Sequence, residues 1–387
     1  MKTRSPRVLL VLGWYDYRLH RGVEKYAQEH SWRLSEDLAR EKVIPWGWDG
    51  NGILAWLGAG DDLADFVTHA QKPTVDFSFR RPELQFTRVL EDTTQTAQLV
   101  VDHFLSRGFR HFLFYSDVHN WVYDERGSAF LARLKHAGRT ATWLRWHESS
   151  AFCTDRKAWL RKRAWLANEM KRVSKPVGVF AASDGLALEV LETCEAAGIT
   201  VPEEVSIVGA GNSLLGVDAM HTPISSVDVN LETVGYQGAA MLDQLMQRKR
   251  APKYPVRVPP FRLIVRKSSD LIAVKHPGVA KSLRFMWDHY HEPITVNDLA
   301  TAASMSLRNY YQTFFDNVGR PPGNEMQRIR IDRAKRLLLE TDEKIEVIAQ
   351  MCGYTNANSF WVAFKRSVGM APMAFSRLKR EKNLTMT

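Results

Sequence analysis

Leu299-Ala300-Thr301-Ala302-Ala303-Ser304-Met305-Ser306 is followed, later in the chain, by its counterpart Ile348-Ala349-Gln350-Met351-Cys352-Gly353-Tyr354-Thr355. Phe314, Gly319 and Pro322 recur in the same way as Phe364, Gly369 and Pro372, offset by one residue more than the first block. The extra residue falls in the turn or the early second helix of the later copy. Each copy reads as a short helix, a tight turn and a second helix, with Leu299, Ala303, Leu307 and Phe314 as the apolar positions that hold the pair together. Thr295 and Asp298 have the spacing of a capping box at the start of the first helix. Between the copies, residues 324–341 read as one long helix that sets their separation. A helix of this kind fits the major groove of B-DNA and turns its outer face to base edges. Two of them one turn of DNA apart, roughly 34 Å, reach successive grooves from one chain. The plain alternative is a helical bundle that arose by duplication; the double copy, the bridging helix and the local charge weigh against it.

That charge is basic. The 387-residue chain carries a net +10. From Lys281 onward there are 16 Lys and Arg against 11 Asp and Glu, and before it 37 against 32. The same excess therefore sits on 107 residues as on the preceding 280, which suits a polyanionic partner for the C-terminal part. A hydrophobic content of 45% and a charged content of 25% are those of a globular protein. The apolar run Val8–Leu12 after the basic start is too short for a signal-peptide core and reads as a buried strand. No stretch approaches the about 18 apolar residues of a membrane span. Cys153, Cys194 and Cys352 are isolated and odd in number, which argues against a disulfide framework and for a reducing cytoplasm.

The first 265 residues have a different grammar. Strand-like runs at residues 7–13, 52–56, 73–77, 112–115, 177–181 and 205–208 alternate with helical stretches at 19–30, 94–107, 126–137, 185–197 and 231–248. Several of those helices stop at Gly108, Gly138 or Gly198. This alternation implies a mostly parallel sheet wound from βαβ units. Residues 256–278, with Pro259-Pro260 and Pro277-Gly278, read as a hinge, beyond which every element looks helical. The expected division is residues 6–269, a linker at 270–278, and residues 279–380.

The C-terminal segment resembles the DNA-binding module of the AraC/XylS family. The resemblance rests on Ala349, Gly353-Tyr354, Ser359-Phe360, Phe364-Lys365, Gly369, Pro372, Phe375 and Arg377, and covers about 100 residues. It implies that the first reading helix presents Leu307, Arg308, Tyr311 and Gln312 to DNA, and the second Asn356, Asn358, Ser359 and Val362. Lys365 and Arg366 are placed for phosphates. Arg308 suits guanine, and Gln312 or Asn358 suits adenine. Tyr311 is open to a second reading, as a packing residue. Val362 departs from the family, which usually has Arg or Lys there; Ala371 replaces its Ser or Thr.

The N-terminal region resembles the ligand-binding domains of LacI/GalR regulators and periplasmic sugar-binding proteins. The motifs are Val177–Ala187 with Ser183-Asp184, then Gly198–Pro202, then Val205–Gly209, followed by Pro223–Val227 and Val234–Ala239. The fold implied for the whole chain is an α/β two-lobed periplasmic-binding-protein-like sensor domain followed by an all-α double helix-turn-helix domain. Such sensors bind ligand at the carboxyl ends of parallel strands. The positions matching those ends are Trp14, Tyr15, Asp16, Ser78, Arg126, Ser183, Asp184 and Asn212. Asp184 has a second reading as a helix cap, and Trp121 stands either as a stacking platform or as a buried loop residue. The Trp46-Gly47-Trp48 stretch and Trp56 are either cleft wall or core. Gly211 stands where the family often has a sugar-gripping aspartate, which puts a pentose in doubt.

Together these resemblances imply a cytoplasmic transcription regulator of carbohydrate-utilisation genes. Its expected partners are double-stranded DNA, a small sugar-like effector, a second copy of itself, and RNA polymerase if it activates. Repression and a non-sugar effector are the alternatives. Catalysis is not expected, since no His-Glu-x-x-His, Gly-x-Ser-x-Gly or P-loop motif is present. His289-Tyr290-His291-Glu292 offers metal-ligand types that nothing else completes, so neither a metal nor a cofactor is expected.

Overall fold

The computed structural model describes residues 5–36, 43–58, 61–118, 120–147, 156–213, 222–271, 273–274, 276–341 and 343–377. Cys153 and the expected boundary at Arg380 lie outside these residues. The chain divides into two compact units, Met1–Asp270 and Leu271–Thr387.

The first unit contains two six-stranded sheets, one in each of two lobes. In the first lobe, β1 (Arg7–Leu12) pairs in parallel with both β2 (Arg33–Ser35) and β3 (Gly52–Trp56). Next come β4 (Thr74–Asp76), β5 (Thr87–Glu91) and β11 (Val256–Val258), giving the order β11-β5-β4-β3-β1-β2. The second lobe holds β6 (His111–Asp117), β7 (Thr142–Trp146), β8 (Val177–Ala181), β9 (Val205–Ala210), β10 (Ser225–Asp228) and β12 (Arg262–Ile264) in the order β12-β10-β9-β8-β6-β7. All its pairings are parallel except that of β10 with β12. The central strands are apolar along their length and buried, as strands covered by helices on both faces must be.

The chain passes between lobes at three places: from β5 into helix α3 (Thr93–Ser106), from β10 into α7 (Leu231–Met246), and from β11 to β12. The remaining helices of this unit are α1 (Tyr17–Glu29), α2 (Asp61–Ala70), α4 (Trp121–His136), α5 (Arg156–Arg172) and α6 (Asp184–Ala196). In the first lobe α1 and α7 lie against each other at close range. A Cβ on Gly22 would sit 1.9 Å from the Glu232 carbonyl oxygen, and one on Gly235 would sit 2.0 Å from that of Leu19. Glycine is required here by the approach of two backbones rather than by backbone angle.

The hinge expected from Val256 onward is corrected by this topology. β11 and β12 are the last strand added to each sheet, and Ser268, Ser269 and Asp270 are buried. The Ser268 amide donates to the Pro223 carbonyl at 3.0 Å, and Arg107 Nη2 donates to Asp270 Oδ1 at 2.9 Å. The proline pair suggested a linker because short edge strands lack the periodicity of longer ones.

The second unit is entirely helical among its described residues: α8 (Pro277–His289), α9 (Val296–Ala302), α10 (Leu307–Val318), α11 (Pro322–Glu340), α12 (Ile345–Met351) and α13 (Ala357–Val368). It has two apolar cores. One joins α8, α9 and α10 around Tyr310 and Phe314; the other joins α11, α12 and α13 around Phe360 and Phe364. Tyr310 and Phe360 are equivalent positions of the repeat. The tyrosine hydroxyl, buried, finds Ser282 Oγ on α8 at 2.5 Å, whereas the phenylalanine needs no such partner.

Candidate functional site

The two helix-turn-helix copies begin differently, the first with a side-chain cap and the second at Lys344 without one. Thr295 and Asp298 form the expected reciprocal cap: the Thr295 amide donates to Asp298 Oδ2 at 2.7 Å, and the Asp298 amide to Thr295 Oγ1 at 3.4 Å. The turn that follows passes through a left-handed residue in both copies, Ser304 (φ 57°) in the first and Gly353 (φ 76°) in the second. Any Cβ on Gly353 would also meet the Tyr290 carbonyl oxygen at 2.3 Å. α9 and α12 are offset by 49 residues, Val296 to Ile345, and α10 and α13 by 50, Leu307 to Ala357. The extra residue of the second copy therefore lies in its turn. Gly319 and Gly369 close the second helix of each copy in the left-handed conformation.

α11 ties the two copies together. Arg330, at its middle, donates from Nε to the Tyr290 carbonyl at 2.8 Å and from Nη2 to the Glu292 carbonyl at 2.7 Å. Its guanidinium also lies 5.8 Å from the centre of the Tyr354 ring, in the turn of the second copy. One arginine thus satisfies carbonyls just after α8 and packs against the second copy.

Leu307, Arg308, Tyr311 and Gln312 all lie on the solvent face of α10, and Asn356, Asn358, Ser359, Val362, Lys365 and Arg366 are all exposed at the start of α13 or along it. Leu307 was also expected to hold the helix pair together; it is 42% exposed, and Tyr310 fills that interior position instead. Tyr311 is 44% exposed, so the packing reading does not apply to it. Asn356 caps its helix, with Oδ1 accepting from the Ser359 amide at 2.8 Å. Gln312 Nε2 donates to Asp316 Oδ1 at 2.8 Å. Phe315 and Trp361 join this outer face without having been anticipated. In the pair Phe360-Trp361 one ring must face inward, and helical period alone left the choice open.

The cleft between the two lobes of the first unit is a cavity of about 580 Å³ at the carboxyl ends of strands from both sheets. Trp14, Tyr15 and Asp16 follow β1; Trp56 ends β3; Phe77 follows β4; Glu91 ends β5. The opposite wall has Ser183 and Asp184 after β8, Ala210 and Gly211 at the end of β9, and Trp121, Tyr123 and Arg126 from α4. Six of the eight expected positions line it. Ser78 and Asn212 do not. Ser78 is fully buried, its amide donating to Asp76 Oδ1 at 2.9 Å. Asn212 accepts from Arg266 Nη2 at 3.0 Å, and its amide donates to Ser226 Oγ at 3.0 Å. Both sit at strand ends, but their side-chain groups are spent within their own lobe, and the Asn212 carbonyl accepts from Arg18 Nη1 of the first lobe at 3.1 Å.

Two arginines bridge the cleft. Arg126 donates from Nε and Nη2 to the two carboxylate oxygens of Glu91 at 2.9 and 2.8 Å, and from Nη1 to the Ala182 carbonyl. Arg18 grips the Asp16 carboxylate from Nε and Nη2 at 3.0 and 2.8 Å and reaches the Gly211 carbonyl from Nη1 at 2.6 Å. The Asp16 carboxylate also caps α1 by accepting from the Arg18 amide at 2.9 Å. Arg18 and Glu91 were not anticipated, because their roles depend on partners far away in the chain. Asp184 is buried and accepts from Ser226 Oγ at 2.5 Å and from the Ser213 amide at 2.8 Å. Burial pushes its carboxyl above the usual range, opposed by these two hydrogen bonds. Ser183, not Asp184, is the helix cap.

The aromatic groups are distributed on both walls. The Trp14 and Trp56 ring centres are 4.7 Å apart, and Trp121 lies 6.3 Å from Phe79. Trp121 is thus the first residue of a helix at the cleft, rather than a buried loop residue. Trp46 is exposed and Trp48 packs on the first-lobe core, so neither forms cleft wall.

Comparison with known proteins agrees with both halves. Residues 101–269 match the model of the periplasmic binding protein-like domain, and residues 299–378 match a helix-turn-helix domain. The chain is 27% identical to the xylose operon regulatory protein of Escherichia coli K12, over 98% of this chain and 99% of that one. A solved structure of the xylose-binding transcription activator XylR superposes with a TM-score of 0.73 at 23% identity, covering 98% and 99% of the two chains. A LacI family regulator from Mycobacterium smegmatis matches 69% of this chain and 99% of its own at 20% identity and a TM-score of 0.55. These two structures bear on the fold. The chain is a DNA-binding transcription regulator with an AraC-type helix-turn-helix domain behind a periplasmic-binding-protein-like sensor domain, and it resembles the xylose operon regulatory proteins over nearly its whole length.

Proposed function

We propose that this regulator responds to a small carbohydrate bound in the cleft and controls carbohydrate-utilisation genes, as an activator. The observation that carries the reading is the cleft itself: a sugar-sized space with indole and phenol rings on its walls and paired charged groups between them. Aromatic faces pack on the apolar faces of a sugar ring, and the rims of Asp16, Arg126, Ser183 and Asp184 offer hydrogen bonds to hydroxyls. Trp14 and Tyr15 supply the aromatic wall. Gly211 leaves the β9 end without a side chain, so the grip on hydroxyls falls to Asp16, Arg126, Ser183 and Asp184, and a pentose is not favoured over a hexose or a uronic acid.

The exposed residues of α10 and α13 bind the operator: Arg308, Gln312 and Asn358 at base edges, with Leu307, Tyr311, Asn356, Ser359 and Val362 around them, and Lys365 and Arg366 at phosphates. Ligand closes the two lobes, and closure alters the pairing of two copies of the chain and thereby the spacing of four helix-turn-helix units on DNA. The site of action is the cytoplasm, with RNA polymerase as the further partner. Among the described residues no helix is long and apolar enough to cross a membrane.

The test is a thermal-shift screen of the full chain against pentoses, hexoses and uronic acids. A ligand that binds the native state raises its stability in proportion to the logarithm of its concentration over Kd. The expected result is a concentration-dependent rise with one class, lost in Trp14→Ala. No rise with any sugar, together with a rise from a non-sugar metabolite, overturns the carbohydrate reading.

A further inference from the structure

We propose that His20, Glu24 and Glu36 form a binding site for a divalent cation of the zinc class, beside the ligand cleft and separate from it. His20 and Glu24 are one helical turn apart on α1 and therefore share a face. Glu36 follows β2, which pairs in parallel with β1, the strand that leads into α1. That return brings a third ligand to the same point.

The three donor atoms lie within 4.8 Å of one another, with His20 Nε2 3.0 Å from Glu36 Oε1 and 3.8 Å from Glu24 Oε1. A tetrahedral zinc ion with bonds of about 2.1 Å separates its ligand atoms by roughly 3.4 Å. The observed spacings bracket that value, and small side-chain rotations close the difference. Among the described residues this is the one group of its kind.

The independent observation is the imidazole. His20 is 8% exposed, and its Nε2 makes no well-directed hydrogen bond although Glu36 is near. Its other nitrogen, Nδ1, lies 3.1 Å from the Tyr15 hydroxyl. With Nδ1–H donated to that oxygen, Nε2 offers its lone pair beside the two carboxylates, and the three donors together can share one cation. A metal-bound histidine held by a second hydrogen bond is the usual form of such sites. Two carboxylates and a neutral imidazole balance the charge of Zn²⁺, and one nitrogen with two oxygens suits it better than magnesium or calcium. Glu24, nearly half exposed, opens the site to solvent. Tyr15 lines the ligand cleft, so an ion here also orients one cleft wall.

The full chain, stripped with a chelator and then freed of it, is titrated with Zn²⁺ by calorimetry and with Co²⁺ by visible absorption. The expected result is binding near one equivalent, with Co²⁺ bands of a low-coordinate site, and a loss of affinity of about tenfold or more in both Glu24→Gln and His20→Ala. Glu24→Gln changes an exposed side chain and leaves the fold intact, so it decides the matter if His20→Ala unfolds. Binding unchanged in Glu24→Gln overturns the proposal, as does binding that is lost instead in His289→Ala or His291→Ala. Absence of binding leaves a Tyr15–His20–Glu36 hydrogen-bond chain with no ion, and equally overturns it.

Discussion

Arg126 and Glu91 meet across the cleft in a two-pronged ion pair, Nε to Oε1 at 2.9 Å and Nη2 to Oε2 at 2.8 Å, with both side chains about nine-tenths buried. Glu91 ends a strand of the first lobe and Arg126 belongs to a helix of the second, so the pair joins lobes at the chain crossover between them. Removing one partner of such a pair strands the other charge in a poorly solvated place, at a cost of about 3–5 kcal/mol. Arg126→Ala is expected to destabilise the α/β unit by that order in urea unfolding, and Arg126→Ala/Glu91→Ala to recover part of the loss. A double variant less stable than the single one would mean that Glu91 has another role.

The contact between α1 and α7 is backbone against backbone. Gly22→Ala places a methyl group 1.9 Å from the Glu232 carbonyl, and neither backbone can yield as a flexible side chain would. Overpacking of this kind costs about 1–3 kcal/mol. A fall in Tm of the α/β unit is expected for Gly22→Ala. Gly108→Ala, at a φ of +80° with nothing near its Cβ position, tests backbone strain alone. Equal stability of Gly22→Ala and the parent chain would exclude so close an approach.

Asp76 is wholly buried beside Arg88, whose Nε lies 3.7 Å from its Oδ2. Burial pushes its carboxyl up to about 6, against hydrogen bonds from Ser78 and Leu57 and the nearby guanidinium that pull it down. The folded state then holds a proton that the unfolded state, with an ordinary value of 3.8, has released. The contribution of Asp76 to stability is therefore largest below pH 3.8 and declines as pH rises to about 6, by roughly 3 kcal/mol at most. Across that window the stability of Asp76→Asn should rise relative to the parent chain. A difference that does not change with pH would show that the carboxyl ionises alike in both states.

On the reading helices, Arg308→Ala is expected to weaken operator binding by about 1–3 kcal/mol and to relax one base position, measured by competition with operators varied one pair at a time. A loss shared by all sequences would make Arg308 a phosphate contact.

Val362 is 55% exposed and apolar on the outer face of α13. Val362→Arg adds a cation there at little cost to folding. Tighter DNA binding is expected, with the slope of log K against log salt steeper by about one unit. An unchanged slope would place this position away from DNA.

The repeat was legible from sequence because its signals are short-range. Caps, turn glycines and apolar positions three or four residues apart declare a helix pair wherever it sits, so Thr295, Asp298, Gly319 and Phe364 could be read directly. The outward placing of Arg308 and Asn358 was implied by the family resemblance, and both are exposed. The alternation of strands and helices likewise declared a parallel sheet, though not that there are two, each completed by a short strand near the end of the unit. What joins distant segments was decided only by the tertiary structure. The links of Arg126 to Glu91 and of Arg18 to Gly211, and the convergence of Glu36 on His20, depend on where the crossovers and the β1–β2 pairing place them. Ser78 and Asn212 show the same limit from the other side. Their position at strand ends was readable, but Ser226 and Arg266 reach Asn212, and Arg88 reaches the Ser78 carbonyl, from distant segments that no local pattern records; the bonds of Ser78 to Asp76, two residues before it, are the local exception.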